Sequence, residues 1–190
     1  METLLIISSV LLWIIVLGNL LLTLTVIRRV TAGSPGERPT LAGLRVGAVA
    51  PPFSARTLDG QTRTLDDSAG RVTAMAFVAP GCRPCREFLP TLGKVDPQGT
   101  AELLLICDGD EEQTRTLMEP LALIVPVLLA PQKDNFLFQD YQVHGTPAYY
   151  LLDERGHVQA SGRPGEHDPQ WRRLMEAWTS QRSLTEGRAG

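Results

Sequence analysis

The chain has 190 residues and a net charge of −3, from 18 basic and 21 acidic side chains. So mild and mixed a charge, with no basic run in the body of the chain, excludes nucleic acid as a partner. Three cysteines are too few to staple a small disulfide framework, so a close pair of them reads as redox chemistry or metal binding.

Residues 3–27 carry no charged side chain and are dominated by Leu, Ile and Val, with Trp13, Gly18 and Asn19 among them. About 20 apolar residues suffice to cross a bilayer. The start Met1-Glu2 is not basic, the apolar core is long, and Val26-Ile27-Arg28-Arg29 is a poor cleavage site. The expectation is therefore one uncleaved transmembrane helix, anchored in the lipid bilayer, rather than a signal peptide. Residues 28–45, rich in Gly, Pro and Thr, read as a flexible tether. Arg28, Arg29, Arg38 and Arg45 follow the apolar segment and favour the cytoplasm for this side. Lasting disulfide chemistry favours the outside.

A single domain over 46–180 and a polar tail over 181–190 complete the chain. Val46 to Phe53 is extended and limited by prolines, and Leu58-Asp59-Gly60-Gln61 is a hairpin-type turn. Val72–Val78 reads as a strand. Arg83–Lys94 reads as a helix with Phe88, Leu89 and Leu92 on one face and Pro90 as a kink. Leu103–Cys107 is an apolar strand. Asp110–Met118 is a helix with Asp110 as cap and Glu111 and Glu112 in the first turn. Val125–Ala130 is a short strand and Asn135–Tyr141 a short helix or turn. Ala148–Leu152 is a strand, and Glu154-Arg155-Gly156 turns it into a second, His157–Ala160. Asp168-Pro169 opens a last helix on which Trp171, Leu174, Met175 and Trp178 form one apolar face. Strands and helices that alternate and end in a hairpin indicate an α/β sheet with helices on both faces.

Cys82-Arg83-Pro84-Cys85 stands between the first long strand and its helix. There the first thiol meets a helix N-terminus, whose dipole and free N–H groups stabilise a thiolate, the species that attacks disulfides. Pro84 favours the helix start, and Arg83 adds a positive charge that lowers the Cys82 pKa further. Cys85, one turn in, is placed to resolve the pair. Zinc held by Cys82, Cys85, Cys107 and His144 is a rival. Its spacing is long, without a second compact knuckle, and a lone cysteine ending a buried strand behaves as a small hydrophobe. No metal and no cofactor beyond a Cys82–Cys85 disulfide is expected. Thr146-Pro147, at the entrance of the strand Ala148–Leu152, is an X-Pro bond that can be cis.

Taken together, the strand, the CxxC at a helix start, the Pro-containing helix, Val143-x-Gly145-Thr146-Pro147 and the closing hairpin and helix resemble the thioredoxin fold. The entry segment Gly47-x-x-Ala50-Pro51-x-Phe53 followed by Asp59-Gly60 is similar to membrane-tethered TlpA/ResA-type redoxins. The apolar anchor and Pro90, five residues past the second cysteine, resemble the MauD-like accessory proteins of methylamine dehydrogenase maturation. The resemblance implies Cys82 as attacking thiol, Cys85 as resolving thiol and Pro147 as the cis-proline beside them, with Thr146 lending backbone hydrogen bonds to a bound chain. It also implies a protein thiol or disulfide substrate, a partner that recycles the pair, and an extracytoplasmic domain.

Departures accompany it. Gly81 stands where thioredoxins have an aromatic residue, Ala76 where they bury an acid, and Phe88 where many TlpA/ResA-type proteins carry Glu. Glu87, a water, or Arg83 with the helix dipole is then left to assist deprotonation. Peroxiredoxins place Thr three residues before the attacking cysteine, and here that residue is Ala79. The expectation is a thiol–disulfide oxidoreductase acting on exported proteins, in the maturation of a client enzyme. A tethered binding module without turnover and a thiol peroxidase are the alternatives.

Overall fold

The computed structural model describes residues 6–7, 12–13, 16–21, 43–92, 101–121, 125–165 and 167–186. The chain divides into two units, 1–39 and 40–190. The described residues of the first are helical, with Ile6, Leu12, Trp13 and Leu21 more than half exposed. Among the described residues no helix is long and apolar enough to cross a membrane. Most of the span expected at 3–27, and the tether up to residue 42, lie outside them.

The second unit is built on strands β1 (Ser54–Thr57), β2 (Thr62–Thr64), β3 (Val72–Val78), β4 (Ala101–Cys107), β5 (Val127–Leu129), β6 (Ala148–Leu152) and β7 (Val158–Gly162). Helices α1 (Arg83–Leu92), α2 (Glu111–Met118), α3 (Leu137–Asp140) and α4 (Pro169–Glu186) connect and cover them. The strand order is β2-β1-β5-β4-β3-β6-β7. β3, β4 and β5 run parallel, and β6 pairs antiparallel with β3. Parallel strands need crossovers, and these put helices on the sheet faces. That is why β3 and β4 are buried almost without interruption and read as continuous apolar runs.

Alternation along these strands sorts the core into two layers. Ala74, Ala76, Val78, Leu103, Leu105 and Cys107 face α1 and α4, where Cys85, Phe88, Leu89, Trp171 and Trp178 meet them. Met75, Phe77, Leu104 and Ile106 face the other way, toward Leu137, Phe138, Tyr141 and Tyr150. Asp110 caps α2 in a full capping box with Gln113.

Several boundaries differ from the sequence reading. Val125–Ala130 shortens to β5 because Pro126 has no N–H to offer a ladder. Asn135–Tyr141 contracts to the single turn of α3, with the Asn135 side chain accepting from the Leu137 N–H. The last hairpin strand runs to Gly162 rather than Ala160. α1 is described to Leu92, and Lys94 lies outside the described residues. The Leu58–Gln61 turn joins β1 to β2, closed by Thr57 N–H to the Gln61 carbonyl at 2.8 Å. These two strands are too short to carry a periodic signal in sequence.

Among the described residues, one charged side chain belongs to this interior. Glu102, on β4, is 9% exposed. Its carboxylate accepts from Arg63 of β2 and from Ser68 Oγ at 2.7 Å, and forms an ion pair with Arg71 at 3.4 Å. The hairpin and the turn before β3 are thus fastened to the sheet by one carboxylate. Removing one partner of a buried pair leaves the other uncompensated, so Glu102→Ala should lower stability by about 3 kcal/mol. Urea unfolding of the variant checks this, and a loss under about 1 kcal/mol would show the network to be a surface feature.

Candidate active site

β3 ends at Val78, and Ala79-Pro80-Gly81 turns the chain into α1. Gly81 has φ +76°, a backbone region that favours glycine, which accounts for the missing aromatic residue there. Cys82 N–H donates to the Ala79 carbonyl at 3.3 Å, and the Cys82 carbonyl accepts the first helical bond, from Arg86 N–H at 3.2 Å. Cys82 therefore occupies the cap position of α1. Its sulfur accepts from the Cys85 N–H at 3.1 Å, as a serine or threonine oxygen would. This places an N–H and the positive end of the helix dipole against the sulfur that must carry charge as a thiolate.

Cys82 and Cys85 form a disulfide with Cα atoms 5.2 Å apart. Cys82 is half-buried, whereas Cys85 is fully buried. A second protein's sulfur can therefore reach Cys82 and not Cys85.

Strand pairing delivers the other half of the site. Phe77 of β3 is opposite Ala148 of β6, so the loop before β6 lands beside the cysteines. The Thr146–Pro147 peptide is cis. The Thr146 carbonyl oxygen lies 3.6 Å from Cys82 Sγ, within reach of an S–H once the pair is reduced. Thr146 is half-buried and Pro147 buried. A cleft of about 620 Å³ opens beside Gly81, lined among others by Pro80, Arg86, Leu89, Glu112 and Leu117.

The charged residues fall differently from the sequence expectation. Arg83 Nε is 3.2 Å from Glu87 Oε1, one turn on, and both side chains are exposed (84% and 68%). Glu87 thus neutralises Arg83 at the surface and is not a buried acid for the pair. Pro84 sits in the first turn of α1, where its missing N–H costs nothing. Ala76 is fully buried, and Phe88 packs on Trp171 with ring centroids 5.4 Å apart, so the two departures noted in the sequence are both part of the apolar core. Two residues past Pro147, Tyr149 Oη donates to Asp168 Oδ1 at 3.0 Å. The sequence gives little sign of this bond: the first residue sits within an apolar strand, and the second reads as a helix start.

The four zinc candidates are not gathered. Cys82 and Cys85 are bonded to each other, Cys107 is fully buried and His144 is exposed. Among the described residues no group of three such side chains is placed to hold a metal ion.

Residues 46–161 match the model of the AhpC/TSA family. The chain belongs to the AhpC/TSA family. Its relatives include the methylamine utilization protein MauD of Methylobacillus flagellatus, 31% identical over 82% of this chain and 78% of that one. The thioredoxin-like protein YneN of Bacillus subtilis is 31% identical over 62% of this chain and 71% of its own length. The thiol-disulfide oxidoreductase ResA of Bacillus cereus is 25% identical over 60% of this chain and 68% of its own length. Among solved structures, the thioredoxin domain of a thiol-disulfide oxidoreductase from Bacteroides vulgatus superposes with a TM-score of 0.60, at 22% identity, over 72% of this chain and 99% of that one. A likeness at that identity speaks for the fold, and this AhpC/TSA member has the thioredoxin-like α/β arrangement.

The third cysteine of this AhpC/TSA chain behaves differently from the pair. Burial pushes the Cys107 thiol up to about 11, with the nearby Thr114 hydroxyl opposing and the negative charge of Asp108 adding to it. At pH 8 only about one Cys107 in a thousand would be thiolate. Native oxidised protein should therefore resist iodoacetamide at pH 8 and take up one equivalent on unfolding, as mass spectrometry would read. The neutral thiol's stabilising share is full below the unfolded value of 9.0 and declines as pH rises through about 11.

Proposed function

We propose that the chain is a membrane-anchored thiol–disulfide oxidoreductase, acting on disulfides of exported proteins. One observation carries this reading: a half-exposed cap sulfur, Cys82, disulfide-bonded to buried Cys85 and 3.6 Å from the carbonyl that precedes a cis-proline. An attackable sulfur, a shielded partner and a backbone platform are the parts that exchange requires.

In the reducing direction the Cys82 thiolate attacks one sulfur of a client disulfide. A Cys82–client mixed disulfide forms, and the other client sulfur leaves as thiolate. Cys85, as thiolate, then attacks Cys82 Sγ, closes the intramolecular disulfide and releases the second client thiol. The client gains two electrons and the pair loses two, so a dithiol partner must reduce Cys82–Cys85 before the next turn. Oxidation of a client dithiol is the same path reversed. The Cys85 N–H favours the Cys82 thiolate in both directions.

Likeness to proteins named for methylamine utilization supports a role in maturing one client enzyme. The uncharged run 3–27 supports the anchor, and the disulfide chemistry supports placing the domain outside the cytoplasm. Thr146 supplies backbone to the docked client, and the cleft beside Gly81 gives room for its side chains.

Cys82→Ser should abolish reduction of insulin disulfides and trap no mixed disulfide, whereas Cys85→Ser should accumulate a Cys82-linked adduct on non-reducing gels. Full turnover in the Cys82 variant would sink the proposal, whereas a wild type without turnover would leave a binding module. For topology, a cysteine placed at Ser34 in cells should react with a membrane-impermeant maleimide before lysis. Labelling only after lysis would put the domain in the cytoplasm.

A further inference from the structure

The two halves of the redox centre lie on different elements, α1 and β6, and a buried path of rings joins them. Tyr149 stands two residues past Pro147, opposite Ala76 of β3, and is 1% exposed. Its ring packs on Trp171 of α4 with centroids 5.0 Å apart. Trp171 packs in turn on Phe88, one turn beyond Cys85 on α1. The helix of the cysteines is thereby keyed to the strand of the cis-proline.

A single carboxylate oxygen closes this path. Tyr149 Oη donates to Asp168 Oδ1 at 3.0 Å. The same oxygen accepts from the backbone N–H groups of Gln170 at 2.9 Å and Trp171 at 3.0 Å, capping α4. Gly162, paired with Tyr149 on β7, makes room for it. A Cβ there would lie 2.6 Å from Asp168 Oδ2 and 3.3 Å from the Tyr149 ring. Burial, then the charge of Asp168 and their hydrogen bond, push the Tyr149 phenol far up, so it remains a donor throughout the neutral range.

Core packing alone does not call for this. A phenylalanine would fill nearly the same space without burying a hydroxyl, and Asp168 would still cap α4 through its two amide partners. The hydroxyl adds one thing, a directional tie between β6 and the start of α4.

We propose that Tyr149 and Asp168 are positioning residues for thiol–disulfide exchange, holding β6 so that the Thr146–Pro147 platform keeps its place against Cys82. This rests on the redox reading above. The tie matters for a protein client, which must lie along the platform while its sulfur lines up with Cys82. It does not matter for a small dithiol, which needs only access to the sulfur.

The test uses the full 190-residue chain in detergent, as wild type, Tyr149→Phe, Asp168→Asn and Asp168→Ala. Two rates are read: kcat/KM for insulin reduction, and the stopped-flow rate at which dithiothreitol alone reduces Cys82–Cys85. Tyr149→Phe keeps the ring stack and should lower the insulin kcat/KM about tenfold, the order expected for one buried hydrogen bond to a charged group. Its dithiothreitol rate should stay within about twofold of wild type, since that step does not use the platform. Asp168→Asn still offers an oxygen to Tyr149 and to the α4 amides and should recover most of the insulin rate. Asp168→Ala should lose it. An unchanged insulin rate in Tyr149→Phe, or an equal fall in both of its rates, overturns the inference. Wild type that fails to reduce insulin overturns the redox reading instead, so the two failures are separable.

Discussion

Strand β3 organises both halves of the redox centre. Its parallel pairing with β4 buries it on both faces, and its C-terminal end must then release the chain toward α1. Its antiparallel pairing with β6 brings the cis-proline loop to that same end. The 3.6 Å approach of the Thr146 carbonyl to Cys82 follows from the sheet register, with no need for a flexible loop to find its partner. Loops held at strand ends by a rigid sheet are a recurrent way to fix reactive groups.

The immediate chemistry is local to one helical turn. A capping residue normally offers oxygen to the third amide of its helix, and here sulfur does so. Capping and thiolate stabilisation are therefore one interaction. Arg83, the obvious electrostatic helper beside it, is turned to solvent and matched by Glu87. The groups set against the Cys82 sulfur are backbone ones.

Legibility in the sequence followed signal length. Val72–Val78 and Ala148–Leu152 were readable to the residue because long apolar runs bounded by Gly and Pro leave little choice. The CxxC and Thr146-Pro147 were readable because few other sequences serve those geometries. β1 and β2 were not, being four and three residues long, although the turn between them was. The pairing of Glu87 with Arg83 was not legible, because helical spacing gives the face of a side chain and not its partner. Asp168 was legible as a helix start, while its third hydrogen bond, to a tyrosine 19 positions earlier, depends on the β6–β7 pairing.

Cys107 gives the molecule a further property. It sits in the same hydrophobic layer as Cys82 and Cys85, yet its proton is held by burial. A third thiol that ionised as readily could intercept the mixed disulfide and divert the cycle into scrambled pairings. Kept neutral, it is a spectator, and the stoichiometry of each cycle stays at one disulfide for one dithiol. Burial here acts as insulation around a two-electron circuit.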